Sequence, residues 1–259
     1  MNDVELTTQR EVARLVAEHG SHYVHEAHCN GHGDIWPWTG EWQLGVRPIA
    51  CPWCLELRYS SRVIKAGVPE RYAQKDWADL EMVEPFPLVK ASCAQITDIL
   101  AAGHNLVMAG PPGCGKTQSA AMLVNAAIRA GRSAVFANLG RTAMDVRSSY
   151  DSRGGTTERD ATDHMARTDL LVLDDVGAGE VAEGKVERRL LYFVTEERQN
   201  RKRSTVITTN LSATELKALV GLRIINRLMP LEVLNFTHGR NFRVPEGATL
   251  WVPSVPYES

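Results

Sequence analysis

The sequence lacks any long apolar run. No stretch approaches the roughly 18 consecutive apolar residues that a membrane-spanning helix needs. The opening MNDVELTTQREVARLVAEHG also lacks the basic-then-apolar order of a secretory signal, and it predicts instead an amphipathic helix that begins near Thr7 or Thr8. We therefore expect a cytoplasmic protein without a membrane partner.

The sequence also lacks an excess of positive charge. Its 29 Lys and Arg residues stand against 31 Asp and Glu residues, which gives a formal net charge of -2 at pH 7. A domain that coats DNA is usually strongly basic, so any contact with DNA must be local. The short cluster RQNRKR at residues 198–203 could supply such a contact, although a solvated helix end is the simpler interpretation. Internal repeats and low-complexity tracts are absent as well.

The chain length limits the number of domains. With 259 residues, the chain can hold one full-sized domain and a small accessory module, but not two large domains. A helix predicted after Cys54 should stop near Gly67, because glycine permits a C-cap and Pro69 prevents continuation. This joint predicts a small module over residues 1–66 and a main domain over residues 67–259.

Cysteine is scarce, and three of the five cysteines lie within one short stretch. A disulfide framework is disfavoured in a cytoplasmic protein, because the thiol pool keeps cysteines reduced. The stretch contains two half-sites, Cys29-x2-His32 and Cys51-x2-Cys54. Each half-site presents two soft or borderline ligands from a tight turn, which is how proteins hold tetrahedral zinc. We expect a structural zinc ion on these four residues.

Other interpretations of this module stay open. The CxxC pair of Cys51 and Cys54 could be a redox motif, but the preceding residues are too rich in Gly, Pro and Trp for a βαβ unit. The cysteines could also pack without metal, and His25 or His28 could replace His32. A small knuckle buries little apolar area, so the metal should contribute much of its folding energy. A cap or a partner surface could be formed by Trp36, Trp38, Trp42 and Trp53.

A glycine-rich turn between an apolar strand and a helical segment predicts a nucleotide site. The stretch HNLVMAGPPGCGKT fits the P-loop pattern, and TQSAAMLVNAAIRAG after it is helical in pattern. Glycines let backbone N–H groups surround the phosphates of ATP, and the helix N-terminus adds its positive dipole end. Lys116 should bind the β- and γ-phosphates, and the Thr117 hydroxyl should bind Mg²⁺. The expected ATP-binding residues are Gly110, Pro111, Pro112, Gly113, Cys114, Gly115, Lys116 and Thr117.

Two carboxylates follow a second apolar strand. The segment TDLLVLDDVG carries four apolar residues, as in a central parallel strand, and then Asp174 and Asp175. Ligands of open α/β sheets collect at the carboxyl ends of strands, so both carboxylates should lie beside the phosphates. We expect Asp174 to hold magnesium and Asp175 to orient or deprotonate the attacking water. Many ATPases of this class carry Glu at the second position, so the shorter Asp175 predicts slow hydrolysis.

A third apolar strand, STVITTN, ends in Asn210. The Asn210 amide could sense the γ-phosphate or position water, whereas Asn210 or Ser212 could simply cap the following helix. The two preceding motifs favour the sensor role. Helical segments alternate with strands near residues 105–109, 133–139, 169–173, 204–210 and 231–236. This order predicts a parallel α/β sandwich.

The P-loop, the Asp-Asp strand and the Thr-Asn strand, in this order, resemble the AAA+ ATPases, and within them the family of DnaC helicase loaders and IstB-like transposition ATPases. The resemblance covers roughly residues 60–245 and includes AGVPERY, DLLVLDDVG, VITTNLS and LVGLRIINRLMP. It implies a P-loop AAA+ (ASCE) parallel sheet with flanking helices. It does not extend before residue 60, and the expected zinc knuckle is not part of the family pattern.

The resemblance implies further functional residues. Arg227 in GLRIINRL matches the position of the family's arginine finger, and Arg223 lies one helical turn earlier on the same face. An arginine finger acts on the ATP of a neighbouring subunit, so the family implies a homo-oligomeric open ring or spiral. Without the resemblance, both arginines would be read as surface ion pairs. Arg243 matches the second sensor arginine, with Arg240 as the alternative.

The resemblance also implies contacts with single-stranded DNA. Tyr150 falls where the loader family carries an aromatic side chain that stacks on a base, and Arg147 and Arg153 flank it in position to follow the phosphates. Taken without the resemblance, Tyr150 would be an ordinary half-buried tyrosine.

Three functions compete for this chain. The first, which we favour, is an ATP-dependent loader that binds single-stranded DNA and delivers a DnaB-type replicative helicase in DNA replication, with the zinc module docked on the helicase. The second is an IstB-like regulator that acts on duplex DNA with a transposase. The third is a zinc-dependent scaffold whose nucleotide site only binds. The Thr-Asn strand and the GLRIINRL helix argue against a small-molecule kinase.

Overall fold

The chain forms two compact units, Met1–Lys65 and Ala66–Ser259, and this division lies one residue from the joint expected at residue 66. In the computed structural model, the described residues are 3–29, 34–35, 49–75, 77, 82–149, 157–177, 185–239 and 241–242. The last helix of the first unit ends at Lys65, as the glycine and proline beyond it require. Gly67 takes a φ of 97°, a conformation that glycine adopts without steric cost.

The N-terminal unit combines three helices with a short antiparallel ribbon. The ribbon pairs Asp34 with Ala50 and Ile35 with Ile49. Its elements are α1 (Asp3–His19), α2 (Ser21–His28), β1 (Asp34–Ile35), β2 (Ile49–Ala50) and α3 (Pro52–Lys65). The cluster of buried apolar side chains among the described residues of this unit is small and consists of Val12, Val24, Ile35 and Cys51. So small a core leaves much of the unit's stability to other interactions.

The first helix is longer than the sequence suggested. α1 begins at Asp3, whereas the expected start was near Thr7 or Thr8. No proline or glycine interrupts residues 3–19, so helical hydrogen bonding extends back through the whole run. On its exposed surface, Arg14 forms ion pairs with Glu11 and Glu18.

The second unit is built on a five-stranded parallel sheet, which confirms the expected fold class. Its strand order is β4-β5-β6-β3-β7, and every neighbouring pair is parallel. All five expected strands are present within one residue of the predicted bounds. They are β3 (Asn105–Ala109), β4 (Ala134–Asn138), β5 (Leu170–Asp174), β6 (Ser204–Thr209) and β7 (Leu231–Asn235).

The three inner strands are buried along their whole length because helices cover both faces of the sheet. The helices are α4 (Glu70–Ala73), α5 (Phe86–Ala94), α6 (Ile96–Ala102), α7 (Lys116–Arg129), α8 (Leu139–Ser149), α9 (Glu158–Arg167), α10 (Lys185–Asn200), α11 (Ala213–Val220) and α12 (Leu222–Arg227). Within the described ranges, no helix has both the length and the apolar character that crossing a membrane demands.

The end of α10 corrects one expectation from the sequence. Arg198, the first residue of the basic cluster RQNRKR, is only 1% exposed and is not part of a solvated helix end. Its guanidinium donates to the Thr205 hydroxyl and to the backbone carbonyls of Met165, Thr168, Asp169 and Ser204. Arg198 therefore connects α9 and α10 with the first residues of β6, and its guanidinium is not free to contact DNA.

Candidate functional site

The P-loop joins β3 to α7 at the carboxyl edge of the sheet. Gly113 and Gly115 have φ angles of 83° and 96°, in the left-handed region that favours glycine. A Cβ atom at Gly113 would lie 1.9 Å from the Asn241 amide oxygen, and one at Gly115 would lie 2.8 Å from the Phe86 ring. The loop therefore requires glycine at both positions, as expected for a backbone that closes around phosphates.

Lys116 is the first residue of α7 and is 5% exposed. Its ammonium donates to the carbonyl oxygens of Gly110 and Pro111, at 2.7 Å each, and to the Asn210 amide oxygen at 2.9 Å. The cation is thus held inside the P-loop. A phosphate bound in the loop would find a positive charge already in position.

Asp174 ends β5 beside the first turn of α7. Thr117 donates its hydroxyl to Asp174 Oδ1 at 3.1 Å, and Thr208 donates to the same oxygen at 2.6 Å. Burial raises the pKa of the Asp174 carboxyl, while the bonds from both threonines act in the opposite direction. A carboxylate and a hydroxyl at this spacing form the hard oxygen set that Mg²⁺ prefers, so the residues present fit the ion.

Asp175 follows at once and has a φ of 57°, which is uncommon for a residue other than glycine. Its backbone N–H donates to the Thr208 hydroxyl oxygen at 2.9 Å, which supports this turn. The residue lines the same pocket as Lys116 and Thr117. Asp175 therefore lies at the same pocket as the P-loop cation and Asn210.

Asn210 lies just beyond β6, and its contact with Lys116 places it at the nucleotide pocket. The alternative capping role belongs to Ser212. The Ser212 hydroxyl accepts the N–H of Glu215 at the start of α11, and the Glu215 carboxylate accepts the Ser212 N–H in return. Asn210 is therefore not needed as a helix cap.

Three further residues line the pocket without having been singled out from the sequence as site residues. They are Tyr72, Gln118 and Phe242. Tyr72 belongs to the AGVPERY motif, but nothing in that motif indicates a pocket by itself. The Phe242 N–H donates to the Gly113 carbonyl at 2.9 Å, so the segment after β7 lies directly on the P-loop.

Arg227 lies at the end of α12 and points to α10 of its own chain. Its Nη2 donates to the Glu196 carboxylate at 2.7 Å and to the Tyr192 hydroxyl at 2.9 Å, and its guanidinium lies 4.2 Å from the centre of the Tyr192 ring. The side chain is 17% exposed. Arg223, one turn earlier, is exposed. Neither arginine is among the residues that line the nucleotide pocket of its own chain.

The residues expected to contact DNA are only partly described. Arg147, near the end of α8, forms an ion pair of 2.5 Å with the buried Glu187 of α10 and keeps 44% of its side chain exposed. Tyr150 and Arg153 lie outside the described residues, as do Arg240 and Arg243.

Four metal-ligating side chains meet in the N-terminal unit. They are His25, Cys29, Cys51 and Cys54, and their ligand atoms all lie within 4.8 Å of one another. α2 and the residue after it supply the first two, while the residue before α3 and its first turn supply the others. Among the described residues, the histidine of this cluster is His25. The expected ligand His32 lies outside the described residues.

The distances in this cluster suit a tetrahedral zinc ion. The His25 Nδ1 atom lies 3.6 Å from Cys51 Sγ and 3.5 Å from Cys54 Sγ, and Cys29 Sγ lies 3.9 Å from Cys54 Sγ. With metal–ligand bonds of about 2.0 to 2.3 Å, neighbouring ligand atoms of a tetrahedron are about 3.5 to 3.8 Å apart. A disulfide would require about 2.05 Å between sulfurs. The cluster could therefore bind zinc and is not a disulfide.

The cluster disfavours the thiolate form of Cys54 when no metal is bound. Desolvation, with the neighbouring Cys29 and Cys51 sulfurs, raises the pKa of the Cys54 thiol to about 11. A bound cation reverses this preference, because a thiol that ligates a metal is deprotonated.

Several known proteins are similar to part of this chain. The replicative helicase loader DnaC of Buchnera aphidicola subsp. Baizongia pistaciae is 27% identical over 124 residues, 48% of this chain and 50% of that protein. The chain thus spans about half the length of the DnaC proteins it matches. The uncharacterized protein YdaV of Escherichia coli (strain K12) is 26% identical over 194 residues, 73% of this chain and 77% of that protein.

The crystal structure of the DnaC helicase loader has the same fold, with a TM-score of 0.55 and 20% sequence identity over 64% of this chain and 99% of that one. The family model described as IstB-like ATP binding protein matches residues 88–229, which is more than half of the chain. The matched region contains the P-loop, Asp174, Asp175 and Asn210. The chain is therefore an AAA+ protein that belongs to the family of IstB-like ATP-binding proteins.

Proposed function

We propose that the second unit binds and hydrolyses ATP in the presence of Mg²⁺. The observation that carries this proposal is the meeting of Lys116, Thr117, Asp174 and Asn210 at the carboxyl ends of β3, β5 and β6. Lys116 binds the β- and γ-phosphates, while Thr117 and Asp174 hold Mg²⁺, which neutralises charge on the phosphates. Asn210 orients the γ-phosphate or the attacking water.

Asp175 acts on the water in this proposal. It takes a proton from the water as the water oxygen bonds to the γ-phosphorus. The bond from the γ-phosphorus to the oxygen that bridges the β- and γ-phosphates breaks, and ADP leaves with the electrons of that bond. Its carboxyl group is one methylene shorter than that of Glu, so intrinsic turnover is slow. Arg227 supplies positive charge to ATP on a neighbouring subunit of a ring or spiral. To reach that ATP, the Arg227 side chain must leave its contacts with Glu196 and Tyr192.

We propose that the ATPase serves a cytoplasmic loader of a DnaB-type replicative helicase that binds single-stranded DNA. Support comes from the DnaC relatives, which are replicative helicase loaders, and from the fold shared with the DnaC structure. In this proposal, Tyr150 stacks on a base, Arg147 and Arg153 follow the phosphates, and Arg243 senses the nucleotide. The N-terminal unit, with zinc on His25, Cys29, Cys51 and Cys54, docks on the helicase.

A second candidate is an IstB-like regulator that acts with a transposase on duplex DNA. The observation that favours it is the matching family model, whose description names IstB rather than DnaC. Binding to single-stranded and duplex oligonucleotides in ATP, measured by fluorescence anisotropy, separates the two. Preference for single strands supports the loader, and preference for duplex supports the regulator.

Metal content and helicase capture test the loader together. The wild type and the double variant Cys51→Ser/Cys54→Ser are purified, assayed for zinc, and passed through gel filtration with the cognate replicative helicase in ATP. Cys93→Ser is the matched control, because Cys93 lies outside the cluster. We expect about one zinc per chain and co-elution for the wild type and the control, with both lost in the double variant. Zinc-loaded wild type that never captures helicase contradicts the loader.

Nucleotide turnover distinguishes an ATPase from a scaffold that only binds. Lys116→Ala should abolish both ATP binding and phosphate release, because the loop loses its cation. Zinc content should be unchanged in this variant. A wild type that binds ATP and releases no phosphate, with DNA and helicase present, favours the scaffold.

A further inference from the structure

Thr208 is one of four buried polar residues on β6. It lies on β6, between β5 and β3, and is 0% exposed. Its hydroxyl contacts two residues of the neighbouring strand end, the Asp174 carboxylate at 2.6 Å and the Asp175 N–H at 2.9 Å. A buried hydroxyl that uses both its donor and its acceptor capacity is held in one orientation.

The direction of these two bonds follows from the groups involved. The backbone N–H of Asp175 can only donate, so the Thr208 oxygen accepts there and its own proton is directed to Asp174 Oδ1. Thr117 donates to the same carboxylate oxygen at 3.1 Å and lies 3.5 Å from Oδ2. The carboxylate is thus held from two sides, by the helix after the P-loop and by β6.

We propose that Thr208 is a positioning residue for the magnesium site, acting through Asp174 and Asp175. The inference rests on the proposed ATP and Mg²⁺ binding. One hydroxyl fixes the carboxylate that faces Thr117 and supports the left-handed backbone turn at Asp175. Thr208 therefore couples the metal ligand to the residue that acts on water, without touching either the metal or the nucleotide.

The proposal predicts a specific defect in Thr208→Val. Valine has nearly the same shape, but it leaves the carboxylate without its short hydrogen bond and the Asp175 N–H without an acceptor. Loss of an outer-shell partner costs about 10- to 100-fold in metal affinity. Nucleotide binding without metal depends on the P-loop and should stay within about twofold of the wild type.

The experiment measures nucleotide affinity with and without the ion. A fluorescent ATP analogue is titrated into the full chain in EDTA and over a Mg²⁺ series, for wild type, Thr208→Val and Thr208→Ser. Thr195→Val is the matched control, because Thr195 is equally buried and its hydroxyl donates only within α10, to the Leu191 and Tyr192 carbonyls. Thermal unfolding monitors the fold of each variant.

We expect Thr208→Val to need about tenfold or more Mg²⁺ for half-maximal tightening, while Thr208→Ser and Thr195→Val match the wild type. A Thr208→Val protein with wild-type Mg²⁺ dependence overturns the positioning role. If valine prevents folding, Thr208→Ala serves in its place and must show the same shift. A wild type that binds no nucleotide, or binds it without response to Mg²⁺, contradicts the proposed function itself, and that result is visible before any variant is made.

Discussion

The two units of the chain differ in the number of apolar side chains that their described residues bury. The second unit surrounds a buried sheet with helices on both faces, and its apolar cluster extends from Val107 to Leu228. Among its described residues, the N-terminal unit has a buried cluster of four, and one of these, Cys51, belongs to the His/Cys cluster that could bind a metal. Buried apolar area is enough to explain a stable second unit, whereas the N-terminal unit needs a further source of stability, and the metal proposed for its His/Cys cluster would supply it.

Metal removal should have the largest effect on folding, and this effect should be confined to the N-terminal unit. Structural zinc contributes about 10 to 16 kcal/mol to the folding of small zinc modules. Chelation, or Cys51→Ser/Cys54→Ser, should therefore unfold the described helices α1 to α3 while β3 to β7 stay folded. Hydrogen exchange by mass spectrometry measures the two units separately. Cys93→Ser is the control, and equal protection of the N-terminal unit with and without metal contradicts the prediction.

Removal of the buried guanidinium should have the next largest effect, confined to the other unit. Arg198→Met leaves several buried carbonyls without a donor, which should cost at least about 3 kcal/mol of unfolding free energy. Urea denaturation measures this loss, and zinc content should not change. Arg201→Met is the matched control, because Arg201 is exposed and pairs only with Glu197 one turn away. Equal stability of the two variants would show that the buried contacts contribute little.

Adding one methylene at Asp175 should change ATP turnover in the second unit and leave the N-terminal unit unaffected. Asp175→Glu should raise ATP turnover by about 10-fold or more, because a misplacement of about 1 Å can cost 100-fold. Asp175→Asn should lower it. Phosphate release measures both, with the zinc content of the N-terminal unit as the internal control. Turnover that falls in the Glu variant means that Asp175 does not act on the water.

The smallest effect is expected on the surface of α1. Arg14→Ala removes the ion pairs to Glu11 and Glu18, which lie in solvent and contribute little to stability. The thermal midpoint of the zinc-loaded protein should not change measurably. A clear drop would show that charge pairs, and not only the metal, hold the N-terminal unit together.

The sequence predicted best what depends on local pattern. The P-loop and the strands before Asp174 and Asn210 carry their information within a few residues, so their geometry follows once the sheet forms. The sequence pattern favours His32 over His25, because spacing alone does not show that the last turn of α2 brings His25 close to Cys29. Arg198 and Thr208 act through partners dozens of residues away in the chain, and no local pattern reveals such contacts.

Strand order has a consequence for how the protein is made. All four ligands of the N-terminal cluster lie between residues 25 and 54, so this unit can take up metal while most of the chain is still being synthesised. β3 pairs with β6 and β7, and the Asn105 side chain donates to the Leu228 carbonyl, 123 residues later. Because such distant contacts form last, the nucleotide site cannot be assembled until the ribosome has released residue 235. The proposed metal ligands of the N-terminal unit therefore leave the ribosome long before the last strand of the sheet beside the P-loop.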